Sequence, residues 1–307
     1  MGRLVHELGR LVHHLGRILT SVFYLFILLM GRLVHTGGGL LMQKNELIEK
    51  VKANRQQIVA QSNEFIRRVP PIKLDEQEAK LVYFMASKIR PDDKDFMKVK
   101  IRIEELCATC GIDTRNGKNY SDMKNTLKKL SDKSAWHDII RDGKTGKQLI
   151  RWIDTYLMID GSGEIEATFS QGMKPFLLEL ISRGHFTQAK LLNFLALKSK
   201  YSQRLYEILK SYTYSDPKRA YAVVIEKIEI AELKKMLNAE NYELFKDFRV
   251  RVLDIAMRQI NAVTDLKVSY TPIKSGRMTT HIQFDMQFKE PLDRLRADEA
   301  AERLLDE

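Results

Sequence analysis

Cysteine, tryptophan and proline are scarce, at 2, 2 and 7 in 307 residues. Two cysteines cannot build a disulfide framework, and they suit a reducing compartment, so a cytoplasmic location is expected. Cys107 and Cys110 carry the C-x-x-C spacing of zinc and redox sites, but no second pair and no nearby histidine completes four ligands. At the start of a buried helix they read as core. Four of the seven histidines fall within the first 41 residues, and no His-x-His pair, G-x-S-x-G or H-E-x-x-H is present. The GKTGKQ segment at Gly143 lacks the spacing and the final Ser/Thr of a phosphate loop, and reads instead as a hairpin turn between Asp138–Arg141 and Lys147–Ile153. No enzyme, metal or cofactor is therefore expected. A long apolar run is missing too: the longest, Ile18–Met30, has 13 residues, against the ~20 that span a bilayer. Acidic residues are in deficit, 40 against 51 Lys+Arg, giving a net charge of +11. That excess points to a polyanion, either nucleic acid or an anionic membrane surface. Hydrophobic residues at 44% exclude wholesale disorder.

The first 41 residues differ from the rest. GRLVH begins at Gly2, Gly9 and Gly31, with a partial copy, GRIL, at Gly16. A seven-residue period suggests a coiled coil, but a glycine in each unit costs a helix about 1 kcal/mol relative to alanine. The basic start and short apolar run resemble a signal peptide without a cleavage site. A third reading makes the repeat a property of DNA: seven codons are about 21 base pairs, two turns of B-form duplex, so binding sites translated by an overlong frame would give near-identical heptapeptides. On this reading Met42 is the start, residues 1–41 are a non-native or disordered extension, and no membrane association is expected.

From Met42 onward the chain reads as two halves with one plan. Residues 43–68 are helical by composition, and LDEQEAKLVYFMASKI is an amphipathic helix with acidic residues in its first turn. IRIEEL at Ile101 alternates like a strand and runs into a helix, and IEIAEL at Ile228 does the same 127 residues later. Each is followed by a Tyr-led helix, Tyr120–Leu130 and Tyr242–Asn261. Each helix is followed by a hairpin: Gln148–Asp160 with Glu164–Phe169 around Gly161-Ser162-Gly163, and Leu266–Ile273 with Thr279–Phe288 around Ser275-Gly276. Helix, strand with helix, helix, hairpin is the order of a winged helix-turn-helix. The expected fold is α+β, mostly helical, with two tandem winged-helix domains. The divisions are 42–172 for the first, with DNA binding and dimerisation, 173–290 for the second, the main DNA-binding domain, and 291–307 for a charged tail that frays or forms a short exposed helix.

A helix-turn-helix sets its last helix in the major groove. On a helical wheel, 242–261 gathers Phe245, Phe248, Val252, Ile255 and Ala256 into a core stripe. Lys246, Asp247, Val250, Arg251, Asp254 and Arg258 face away, and Arg249 falls near the core edge, about 200° from Arg251. One of those arginines then reads a base while the other holds a phosphate. A solvated charged face is the alternative, since Asp247 and Asp254 offset part of the charge. The hairpin turn carries Lys274, Arg277, Thr279, Thr280 and His281, a composition suited to phosphate contact or to a soluble turn. In the first half, Ser121, Lys124, Asn125 and Lys128 share a face, preceded by Lys118, with Met123, Leu127 and Leu130 behind. That face suits base edges or a protein interaction surface equally.

YSQRLYEILKSY, IEIAEL, DFRVRVLDIAMRQIN and LKVSYTPIKSGRMTTHIQFDMQF, in that order, resemble the iteron-binding plasmid replication initiator family. NEFIRRV, KLVYFMASKI, IRIEELCATCGI and IEATFS are similar to its N-terminal winged helix. The resemblance covers about residues 43–289. It implies a non-enzymatic protein that binds directly repeated origin sites in double-stranded DNA as a monomer. It also implies homodimers, in equilibrium with monomer, that repress the protein's own gene at an operator, and recruitment of the host replication initiator and helicase. Carried over, it marks Arg249 and Arg251, with the wing residues Arg277 to His281, as DNA contacts. Val250 stands where some relatives have a further arginine. A winged-helix transcriptional repressor without a replication role is the alternative.

Overall fold

The computed structural model describes residues 45–68, 73–96, 98–112, 119–141, 143–213 and 223–307. The readings of residues 1–41, and Lys118, lie outside them. Contacts divide the chain into residues 1–50 and 51–307. In the first unit residues 45–50 are helical; all that follows concerns the second.

That unit opens with helical residues 51–55 (α1) and then repeats one sequence of elements. The first pass runs β1 (Ile58–Ser62), α2 (Asn63–Arg68), α3 (Glu76–Ala86), β2 (Val99–Arg102), α4 (Ile103–Cys110) and α5 (Asn119–Asp132). An inserted hairpin, β3 (Ser134–Arg141) and β4 (Lys144–Arg151), precedes the closing strands β5 (Ile153–Met158) and β6 (Glu164–Phe169). Short helices α6 (Lys174–Leu177) and α7 (Leu180–Arg183) lead to the second pass: β7 (Phe186–Lys190), α8 (Leu191–Leu195), α9 (Lys200–Tyr212), β8 (Val224–Glu229) and α10 (Ile230–Met236). A long helical segment follows, built of α11 (Phe245–Phe248), a π turn (Arg249–Leu253) and α12 (Asp254–Val263), then strands β9 (Leu266–Ser275) and β10 (Met278–Phe288). Helix α13 (Pro291–Asp306) closes the chain.

The duplication extends to strand order. One three-stranded sheet is β2-β6-β5 and the other β8-β10-β9, so in both the last strand lies in the middle. Each has the strand before the first helix of the pair on one side and the first hairpin strand on the other, which is the wing of a winged helix. The fold is α+β with tandem winged-helix modules. Their first strands, β1 and β7, pair antiparallel from Ile58 opposite Lys190 to Ser62 opposite Phe186. Equivalent strands of two repeats pair this way when a local twofold relates them.

Local chemistry explains the elements. Asp75 accepts from the Glu78 amide while the Glu78 side chain accepts from the Asp75 amide, a reciprocal cap that starts α3. Ser199 caps the equivalent α9 through its hydroxyl. The alternation of IRIEEL and IEIAEL ends where Ile103 and Ile230 begin helices, each turning its apolar side onto the core. Buried residues of both modules, among them Phe84, Leu106, Phe169, Tyr206, Phe248 and Phe284, form one continuous cluster, and each such side chain stabilises by ~1.5–3 kcal/mol.

Three expectations are corrected. Residues 43–68 are not helical throughout, because Ile58–Ser62 forms β1, held by its ladder to β7. Gln148–Arg151 belongs to the inserted hairpin with β3 rather than to the first wing, whose outer strand starts at Ile153. The charged tail is neither frayed nor short: Ala297, Ala301 and Leu305 recur every four residues and are buried, so α13 packs on α8 and α12. Among the described residues no helix is long and apolar enough to cross a membrane.

Candidate nucleic-acid interface

The helix of the second module begins at Phe245, not Tyr242. Phe248, Val252, Leu253 and Ala256 are fully buried beneath it. Lys246, Asp247, Arg249, Val250, Arg251, Asp254 and Arg258 are exposed. At the π turn the Asp254 amide donates to the carbonyl of Arg249, five residues back. Each residue of such a turn rotates through less than the α-helical 100°. Three consecutive side chains, Arg249, Val250 and Arg251, therefore stand on the solvent side together. This revises the position of Arg249, placed at the core edge by a uniform wheel: its side chain is 49% exposed and lies 3.9 Å from Asp254. Neither arginine is withdrawn into the core.

The wing is bound to this helix. The Tyr270 hydroxyl donates to Asp254 Oδ1 at 2.6 Å, and partial burial together with that carboxylate keeps the phenol protonated well above its ordinary range. Asp254 is thus engaged by a wing tyrosine and faces Arg249, so its charge is spent locally. At the tip, Gly276 takes φ +62°, a left-handed turn that a side chain would strain. Thr279 pairs with Lys274, and the register shifts between Thr279 and His281. That irregularity leaves Thr280 out of the ladder, its hydroxyl 3.1 Å from His281 Nδ1. Lys274, Arg277 and His281 are exposed, Thr279 and Thr280 half-buried.

Cations gather on this surface, and all but Arg249 lack an acid partner among the described residues. Elsewhere many cations have acid partners: Lys190 with Asp298, Lys174 with Asp95, and Lys98 and Lys100 with Glu166. Lys246, Arg251, Arg258, Lys274 and Arg277 make no ion pair among the described residues, leaving five cations on the helix and wing of one module free for an anionic partner.

The first module repeats the geometry with different chemistry. Helix α5 buries Met123, Leu127 and Leu130 and exposes Ser121, Lys124, Asn125 and Lys128. Lys128 lies 3.6 Å from Asp132, one turn on. The Tyr120 hydroxyl donates to Asp160 at 2.9 Å, again tying helix to wing through a Tyr–Asp bond, with the partners exchanged. Its wing tip, Asp160-Gly161-Ser162-Gly163-Glu164, carries acids where the second wing carries Lys274 and Arg277. A phosphate backbone would be repelled there. The inserted hairpin adds exposed Lys144, Lys147 and Arg151, with Lys147 3.8 Å from Asp138. The sequence marks a hairpin here between Asp138–Arg141 and Lys147–Ile153, and its cations add to the positive surface. Cys107 and Cys110 are buried, and burial pushes their thiols up to about 11 and about 12, so they are core rather than reactive groups.

Comparison with known proteins agrees with this architecture. The family model described as Initiator Replication protein, WH1 matches residues 58–210, and Initiator Rep protein, WH2 matches residues 229–286. Among solved structures, the Pi initiator protein in complex with iteron DNA matches with a TM-score of 0.60 at 21% identity, over 77% of this chain and 99% of that chain. That similarity concerns the fold. The WH1 domain of a replication protein isolated from a multiple sclerosis patient matches 36% of this chain and 80% of its own at 18% identity, with a TM-score of 0.28.

Proposed function

Because the chain belongs to the initiator replication protein family, with both of its winged-helix modules present, we propose that it is a plasmid replication initiator that binds directly repeated origin sites in duplex DNA. The observation that carries this reading is the set of five cations without acid partners on the helix and wing of the second module. Two modules on one chain, each offering a helix backed by a wing, suit a site read over successive major grooves. The Pi initiator, which shares the fold, is seen with iteron DNA.

In this reading Arg249, Val250 and Arg251 meet base edges, with Lys246 and Arg258 on flanking phosphates. Lys274, Arg277, Thr279, Thr280 and His281 hold the backbone beside them. Ser121, Lys124, Asn125 and Lys128, with Lys118, form a weaker second reader, since its wing is acidic. The second reader belongs to a domain of residues 42–172 and the main one to residues 173–290. Binding energy is spent on deforming DNA and opening a neighbouring A·T-rich stretch, so no catalytic group is needed. Homodimers in exchange with monomer repress the gene at an operator, and the bound monomer recruits the host initiator and helicase.

The test uses the purified chain and the DNA ahead of its gene. Footprinting at modest ionic strength should show periodic protection over repeated sites, and a plasmid carrying gene and repeats should replicate without another origin. Protection without replication would leave a repressor alone. Absence of protection with protein in excess would end the proposal.

A further inference from the structure

A cavity of about 360 Å³ lies where the two modules meet. The first module contributes Phe65, Val82, Tyr83 and Trp152 to its wall. The second contributes α9 and the segment after α10, including Tyr201, Leu237 and Asn238. A cavity of roughly 150 Å³ suffices for benzene, so this one has room for a two- or three-ring body.

Its aromatic walls are fixed. Tyr83 stacks on Phe194 with centroids 4.4 Å apart, and Trp152 meets Phe65 edge-on at 5.2 Å. Trp152 is 5% exposed, and its indole N–H has no hydrogen-bond partner among the described residues.

The charge at the cavity is one-sided. Arg204 is neutralised by Glu207 at 3.0 Å, and its remaining donors bond the carbonyls of Ile66 and Met236. Lys73 and Lys200 are exposed and make no ion pair among the described residues, the Lys200 ammonium lying 5.0 Å over the Tyr201 ring. Apolar, aromatic walls and two exposed ammonium groups without an ion pair among the described residues define complementary chemistry. We propose that this cavity is a binding site for a small amphipathic anion, a flat aromatic body carrying one acidic group. The proposal does not depend on the reading of the DNA-facing surface.

The probe is 1-anilinonaphthalene-8-sulfonate, with N-phenyl-1-naphthylamine as its uncharged counterpart, titrated calorimetrically into the full chain. One site per chain is expected, with the sulfonate bound at least tenfold tighter than the neutral compound at low salt and the melting temperature rising with probe concentration. Replacing both exposed lysines, Lys73→Gln with Lys200→Gln, should weaken the sulfonate about tenfold and leave the neutral probe unchanged. Ala79→Phe, which fills the cavity, should abolish saturable binding. Equal affinity for the two probes, or several weak sites indifferent to the lysines, would overturn the proposal. Both lysines lie on the surface, so the lysine arm decides even where Ala79→Phe fails to fold.

Discussion

Arg55 donates a hydrogen bond to Asp306 at 2.8 Å, joining positions 251 residues apart in the chain. The same guanidinium reaches Glu302 and the backbone carbonyls of Ala108 and Thr109, and its side chain is 2% exposed. A buried cation is tolerated only with its partners in place. Lys190 with Asp298, at 2.7 Å, adds a second anchor for the same helix. Helix α13 is therefore a strap from the second module back to the first. Neutralising its acids, Glu302→Gln with Asp306→Asn, should cost about 3 kcal/mol of stability in urea unfolding. Arg55→Met should cost less, because it removes the charge instead of stranding it.

Gly111 ends α4 with φ +60°, and a Cβ there would lie 2.8 Å from the carbonyl oxygen of Leu305. Conformation and close approach both demand glycine. Gly111→Ala should destabilise the chain by at least ~1 kcal/mol. Hydrogen exchange should show the loss as faster exchange in α13 amides before those of α12.

Arg251 and Arg277 should separate in binding experiments. Arg251→Ala should weaken specific DNA by about 1–3 kcal/mol and leave nonspecific DNA much less affected. Arg277→Ala should weaken both alike and reduce the salt slope of binding by about 1. Equal losses for Arg251→Ala on the two DNAs would place that side chain on phosphate.

His137 is buried on β3, its Nε2 without a partner, and burial holds its pKa below the ordinary histidine value. The unfolded chain therefore takes up this proton first as pH falls. Stability should be level with respect to this group above about pH 6.5 and decline as acid is added through the lowered value. His137→Phe should flatten that limb of the urea midpoint against pH. An unchanged profile would show the group to be uninvolved.

The sequence made some of this legible for physical reasons. IRIEEL and IEIAEL advertise themselves because their period changes within six residues, and Gly161, Gly163 and Gly276 punctuate the wings. The exposed face of the second helix followed from a wheel, yet the π turn did not, since nothing in RVRVL marks an added residue. Ile58–Ser62 pairs with Phe186–Lys190, two short segments without alternation or turn signals between them. Their pairing is a tertiary fact. The stripe of Ala297, Ala301 and Leu305 was visible in principle, but abundant charge around small alanines hid it.

The strap also orders events in time. Translation delivers residues at ~5–20 per second, and Arg55 emerges long before Glu302 and Asp306. Until those carboxylates are made, the first module holds a guanidinium without its counterions. A product broken off before them lacks both acid partners of Arg55.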